Sequence, residues 1–471
     1  DPPAADVDSL RSAADRLFPG GAGQRQRLAA LVAACRWFSV LAGGPGTGKT
    51  TAVARLLALF AAQPGRPPRV ALAAPTGKAK GRLQQATAAA LAELDPADAA
   101  RVGHVEAVTL HRLLGASPHT NRFRFGPDNR LPHDLVVVDE ASMIPLTMMA
   151  RLLGALRDDA RLVLVGDPDQ LASVEAGAVL GDLVARPAAP GAAPIPALAR
   201  VAAADLDALD EDDREAALQR GVVRLREVHR FVPAIGDLAD AVRRGDAEAA
   251  LALLRAGGDH VEFCDLEPTP WVPIPALRAD VVDAGTVLAA CAAAGDARGA
   301  LAAADSHRLL CAHREGPAGI AAWNTRVERW IAQAFPGYAA DRPWYLGRPV
   351  LVLANDYSTG LFNGDCGVLV DGADGPRAAF ERDGAVTTFA PYRVGGVQTA
   401  HALTVHRAQG SQFDAVTVLV PPPGSRLLAR ELLYTAITRA RTRLRVVGTA
   451  EAVAAAVRTP VRRASGLRLR D

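Results

Sequence analysis

The apolar positions of this chain fall largely into short unbroken runs separated by longer stretches with helical periodicity. Residues 38–42, 69–74, 135–138 and 161–165 read as strands that are apolar on both faces. Such strands belong in a parallel sheet covered by helices on either side. Residues 1–37 read as two helices, the second spanning 24–37; residues 51–60 and a segment running to about 94 read as two more. Residues 109–115 form a short helical turn. Arg122-Phe123-Arg124-Phe125 alternates at strand period and meets the turn sequence Gly126-Pro127-Asp128-Asn129, which predicts a hairpin insertion over 116–133.

A second series starts with a strand at 308–312 and a helix over 321–335, and it resumes with strands at 415–420 and 444–448. Between them, residues 345–394 switch to short β-segments (350–353, 367–370, 386–389) with Gly, Asn and Asp turns, the pattern of a small inserted barrel. Residues 186–220 are first Pro/Ala-rich and then acidic (Asp205, Asp207, Asp210, Glu211, Asp212, Asp213), which reads as a solvated connection.

The 471 residues suit two to four domains, and no apolar run reaches the ~18–20 residues of a membrane span. A soluble, cytoplasmic protein is expected. Five scattered cysteines without a CxxC pair argue against a zinc site or a disulfide framework and fit a reducing compartment. Net charge is only +2, so nucleic-acid binding must come from local placement. Lysine survives at three positions, Lys49, Lys78 and Lys80. The first residue is Asp1 and no secretory leader opens the chain, which suggests a missing N-terminal part.

Chemistry centres on Gly43-Gly44-Pro45-Gly46-Thr47-Gly48-Lys49-Thr50, which follows the first strand and opens a helix at Thr51. Glycines let the backbone wrap a phosphate with inward N–H groups, and the helix N-terminus adds positive potential. Lys49 would reach the β- and γ-phosphates of a nucleotide, and Thr50 would ligate Mg²⁺. Kinases, GTPases, transporters and helicases share this loop. Asp139 and Glu140 follow the third strand: Asp139 suits Mg²⁺ and Glu140 suits the activation of water for in-line attack, a role that hydrolases require. Gln170, in Gly166-Asp167-Pro168-Asp169-Gln170-Leu171, suits a γ-phosphate sensor.

These blocks, in order with Gln26 and with residues 74–79, 109–115, 227–231, 402–411 and 434–440 (Tyr434-Thr435-Ala436-Ile437-Thr438-Arg439-Ala440), resemble those of superfamily 1 helicases. In detail they are similar to the exodeoxyribonuclease V alpha subunit (RecD) family, over about residues 20–450. The resemblance implies an α/β fold of two RecA-like P-loop motor domains with parallel sheets, a β-hairpin insertion in the first and a small SH3-like barrel in the second. By number, these are an N-terminal helical remnant (1–19), motor domain 1 (20–200), an acidic linker (201–220), motor domain 2 (221–344 and 395–455), the barrel (345–394) and a basic tail (456–471).

The family resemblance also implies ATP and Mg²⁺ as cofactors, with ATP at the cleft between the motor domains, and 5′ to 3′ movement on single-stranded DNA. Gln26 would read the adenine, and Arg230 and Arg439 would approach the γ-phosphate. Nucleotide contacts would extend over residues 43–51 to Gly410 and to Gln412, which stands where the family usually has a ribose-binding Glu. Pro75, Thr76, Lys78, His111, Arg112, Thr404 and His406 would line the DNA track, although Thr76, Lys78, His111, Thr404 and His406 could each equally cap a helix or sit in the interdomain core. The Arg122–Arg130 hairpin resembles the family's strand-separating pin, although its arginine/phenylalanine alternation equally fits a half-buried ribbon. Implied partners are single-stranded DNA, DNA ends and the beta and gamma subunits of a heterotrimer that acts on double-strand breaks, with the nuclease in a partner. The rival readings are a stand-alone helicase of the same superfamily and a non-motor ATP-binding scaffold.

Overall fold

A computed structural model describes residues 2–20, 24–117, 122–172, 177–186, 195–227, 232–269, 272–338, 341–356, 358–382 and 384–461. The chain divides into two compact units, one comprising residues up to Pro168 and Ala172–His229, the other Asp169–Leu171 and Arg230–Arg462.

In the first unit, strands β1 (Phe38–Gly43), β2 (Val70–Ala74), β3 (Ala107–Thr109), β4 (Leu135–Val138), β5 (Arg161–Gly166) and β6 (Val222–Leu225) form one sheet in the order β3-β2-β4-β5-β1-β6. Every pairing is parallel. Alternate side chains enter opposite layers, as strand geometry requires. Leu41, Leu72, Val137 and Val163 pack with helices Val7–Leu17, Arg25–Cys35 and Lys49–Ala61, whereas Val40, Ala73, Val138 and Leu164 pack with Leu110, Leu152 and Leu180.

One expectation changes, that for the acidic stretch. The N-terminal segment is helical as expected, and it belongs to the first unit's core: Asp6 caps helix Val7–Leu17, which buries Val7, Leu10, Ala13, Ala14 and Leu17 there. The acidic 201–220 stretch is no solvated linker. It folds into short helices whose Val201, Ala202, Leu206 and Ala217 join the same core, and Asp205 and Asp213 pair with Arg27 and Arg25. The sequence shows acidic charge but not the arginines that fold against it.

The expected hairpin has two isolated antiparallel bridges among its described residues, Ala116 to Phe123 and Gly126 to Asn129, rather than a continuous ladder. Phe123 and Phe125 lean on the first unit's core.

In the second unit, β7 (Val261–Cys264) and β8 (His307–Cys311) precede five antiparallel strands: β9 (Pro349–Val352), β10 (Cys366–Val370), β11 (Arg377–Arg382), β12 (Ala385–Phe389) and β13 (Val397–Thr399). These are ordered β12-β11-β10-β9-β13 around Val350, Val352, Leu369 and Phe380. Strands β14 (Ala402–Thr404), β15 (Phe413–Leu419) and β16 (Ala440–Val447) then complete a parallel sheet in the order β14-β8-β15-β16-β7. Periodicity alone missed β3, β6, β7 and β14, edge strands of three or four residues, too short to show a period.

Candidate functional site

The phosphate loop of the first unit connects buried β1 to helix Lys49–Ala61, with Gly46 at φ 83° and Gly48 at φ 79°. A Cβ on Gly48 would also lie 2.3 Å from Gln26 Nε2, so any side chain there would displace the glutamine. Gln26 Nε2 sits 3.5 Å from the carbonyl oxygens of Thr47 and Gly48, which places it against the loop. Lys49 Nζ donates to the Gly43 and Gly44 carbonyls at 2.8 and 2.9 Å, and Thr47 Oγ1 donates to Gly44 at 2.9 Å. The ammonium is thus held over the loop's own backbone, where the outer phosphates of a nucleotide would replace those carbonyls.

Asp139 continues β4 by donating its N–H to Ala73 at 2.9 Å and accepts the Glu140 N–H at 2.8 Å. Its carboxyl is pushed up to about 6, first by burial and then by the Glu140 charge, with Lys49 opposing. Lys49 opens the helix after β1, and Asp139 and Glu140 follow β4 of the same sheet. Glu140 has φ 52°, the one positive φ on a non-glycine among the described residues. Backbone strain of this kind concentrates at functional sites. Gly166 ends β5 against the same turn, its absent Cβ falling 3.1 Å from Ala141 N and 3.3 Å from Ser142 N. The hydroxyl and carboxylate of Thr50 and Asp139 are hard oxygen donors, a set that fits Mg²⁺ completed by phosphates and water.

In the second unit, Arg439 is buried. Its Nε donates to Thr435 O at 3.0 Å, Nη1 to Ser411 O at 3.1 Å and Nη2 to Thr438 Oγ1 at 3.2 Å. Gln412 and Gln170 are buried in the same unit, and Gly410 has φ 69°. Arg230 lies outside the described residues.

The DNA-track candidates separate by local role. Thr76 Oγ1 caps helix Gly77–Ala92 by accepting Ala79 N–H at 3.2 Å, and Thr404 Oγ1 accepts Arg407 N–H at 3.4 Å. Arg112 pairs with Glu106 at 3.1 Å, both exposed. His111 is exposed with its ring 6.1 Å from that of Phe123, and Pro75, Lys78 and His406 are half-buried. Gln409 and Thr435 lie within two of the blocks that carry the resemblance, but sequence reasoning gave neither a role; they meet Leu171 from distant positions.

A phosphate loop and a strand-end acidic pair on one parallel sheet, followed by a second parallel-sheet unit, are the arrangement of a P-loop nucleotide-binding protein. Residues 20–220 match the AAA domain family and residues 399–447 the UvrD-like helicase C-terminal domain. The chain is 52% identical to the RecBCD enzyme subunit RecD of Mycolicibacterium smegmatis over 97% of its own length and 76% of that protein. It is 31% identical to the ATP-dependent RecD2 DNA helicase of Deinococcus radiodurans over 88% of its length, but covers only 47% of that protein. Among solved structures, Pif1 helicase from Candida albicans aligns over 98% of both chains with 15% identity and a TM-score of 0.44. The chain belongs to the RecD family, and it is an ATP-dependent DNA helicase. Among the described residues, no helix is long and apolar enough to cross a membrane.

Proposed function

We propose that this protein is the alpha subunit of an exodeoxyribonuclease V (RecBCD) assembly, a 5′ to 3′ translocase on single-stranded DNA that works with beta and gamma subunits at double-strand ends in the cytoplasm. What supports the motor reading is a phosphate loop ending in Lys49 after β1, with Asp139 and strained Glu140 after β4 of the same parallel sheet. Lys49 holds the β- and γ-phosphates, residues 43–51 wrap them, and Glu140 orients the attacking water. Mg²⁺, held by Thr50 and Asp139, would supply charge neutralisation at the phosphates.

Gln26 recognises the base, Gln170, Arg230 and Arg439 sense the γ-phosphate, and Gly410 and Gln412 contact the nucleotide. Pro75, Thr76, Lys78, His111, Arg112, Thr404 and His406 follow the DNA backbone without reading sequence. The 116–133 ribbon acts as a strand-separating pin, and the five antiparallel strands form an SH3-like barrel. The subunit reading is favoured over a stand-alone helicase because the chain is 52% identical to a RecBCD subunit but 31% identical to the RecD2 helicase.

The test is ATP hydrolysis with and without single-stranded DNA, followed by unwinding of duplexes bearing only a 5′ or only a 3′ tail. Stimulation by DNA and preference for the 5′ tail are expected, and both should vanish in K49A and E140Q. Turnover indifferent to DNA would sink the motor reading, and preference for the 3′ tail would overturn the polarity.

A further inference from the structure

Hydrogen bonds inside the second unit, together with the short chain segment from Gln409 to Ser411, link two of the groups proposed to sense the γ-phosphate. Leu171, next to Gln170, is buried in that unit's core. Its N–H donates to Thr435 Oγ1 at 2.9 Å, and its C=O accepts from Gln409 Nε2 at 2.8 Å. Thr435 is fully buried, and its hydroxyl proton goes to Glu431 O at 2.6 Å, which leaves a lone pair for Leu171. The Thr435 carbonyl accepts Arg439 Nε, and Arg439 Nη1 reaches Ser411 O, two residues beyond Gln409. The path therefore runs Leu171, Thr435, Arg439, Ser411, Gln409 and back to Leu171.

Side chains, rather than a helix or sheet ladder, satisfy both backbone groups of Leu171, and a buried peptide group stripped of its partner is costly. The Leu171 N–H lies in the same rigid plane as the Gln170 carbonyl. Thr435 therefore fixes the peptide immediately after Gln170, while its own carbonyl fixes Arg439. Residues 169–171 pack with the second unit although the chain on either side belongs to the first.

We infer that Gln409 and Thr435 are positioning residues that hold Gln170 and Arg439 in one frame, so that the two engage the γ-phosphate together. The inference rests on the γ-phosphate roles proposed above for Gln170 and Arg439. The test measures DNA-stimulated ATP hydrolysis by the full-length protein in T435V, which keeps shape but loses the hydroxyl, T435S, which restores it, and Q409L.

T435V and Q409L should each lose about tenfold in kcat with KM for ATP within about twofold, and T435S should stay near wild type. Groups acting as a unit are non-additive, so T435V/Q170A should be no slower than Q170A alone. Wild-type kcat in both T435V and Q409L, or multiplicative losses in the double variant, would overturn the inference. Wild-type turnover in Q170A would remove the Gln170 role itself, a result distinguishable because it needs no change at Thr435 or Gln409.

Discussion

Replacing Glu140 by glycine should stabilise the first unit while abolishing turnover. At φ 52°, Glu140 occupies a left-handed conformation in which an L-residue costs about 1–2 kcal/mol. Glycine relieves that strain but brings roughly 0.5–1 kcal/mol of extra unfolded-chain entropy, leaving a net gain of about 0.5–1 kcal/mol. For a unit of this size, that moves the midpoint by about 2 °C. Glu140 also raises Asp139 through like charge, so removing the carboxylate has an effect of its own. E140Q isolates it, because glutamine loses the charge and keeps the strain. Calorimetry on both variants, with ATPase assays alongside, gives strain relief as the difference between their first-unit transitions. Both should be inactive, with E140G the more stable. An E140G midpoint at or below that of E140Q would refute the reasoning.

Other consequences concern burial and capping. Arg27 and Asp205 form a buried pair in the first unit, with Asp15 as the only other carboxylate bonded to Arg27 among the described residues. D205A should therefore cost roughly 3 kcal/mol in denaturant unfolding. His401 is buried against Tyr338, Nε2 to Oη 2.7 Å, and burial, then the charges of Arg308 and Arg348, hold it down to about 3. Because the folded value lies below the unfolded 6.5, the unfolded chain takes up the proton first. Stability from this group is intact above about pH 6.5 and falls as pH drops toward 3, by at most about 2 kcal/mol at pH 5. The stability difference between wild type and H401Q should shift accordingly between pH 7.5 and 5. T76A should lose about 1 kcal/mol through its cap, and T76S should restore it. Tighter loss of DNA binding in T76A than its stability explains would reveal a phosphate contact as well.

Much of the nucleotide site was legible because its chemistry is local. Residues 43–50 specify strand, glycine loop and helix start within a few positions, and Asp139 and Glu140 follow an apolar run that can only be an interior strand. Both parallel sheets and the antiparallel insertion were expected from runs and turns, although short edge strands escaped. The acidic stretch after residue 200 was misread because its partners, Arg25 and Arg27, lie nearly two hundred residues earlier.

By itself, then, the sequence determined the kinds of element and the strand-end positions of the phosphate loop and the acidic pair, since each rests on neighbours along the chain. Tertiary structure decided the rest: that residues 7–18 and 198–217 complete the first core, that Glu140 is strained, and that Thr435 and Gln409 both bond Leu171. These depend on burial and on hydrogen bonds between residues far apart in the chain, which no local pattern encodes.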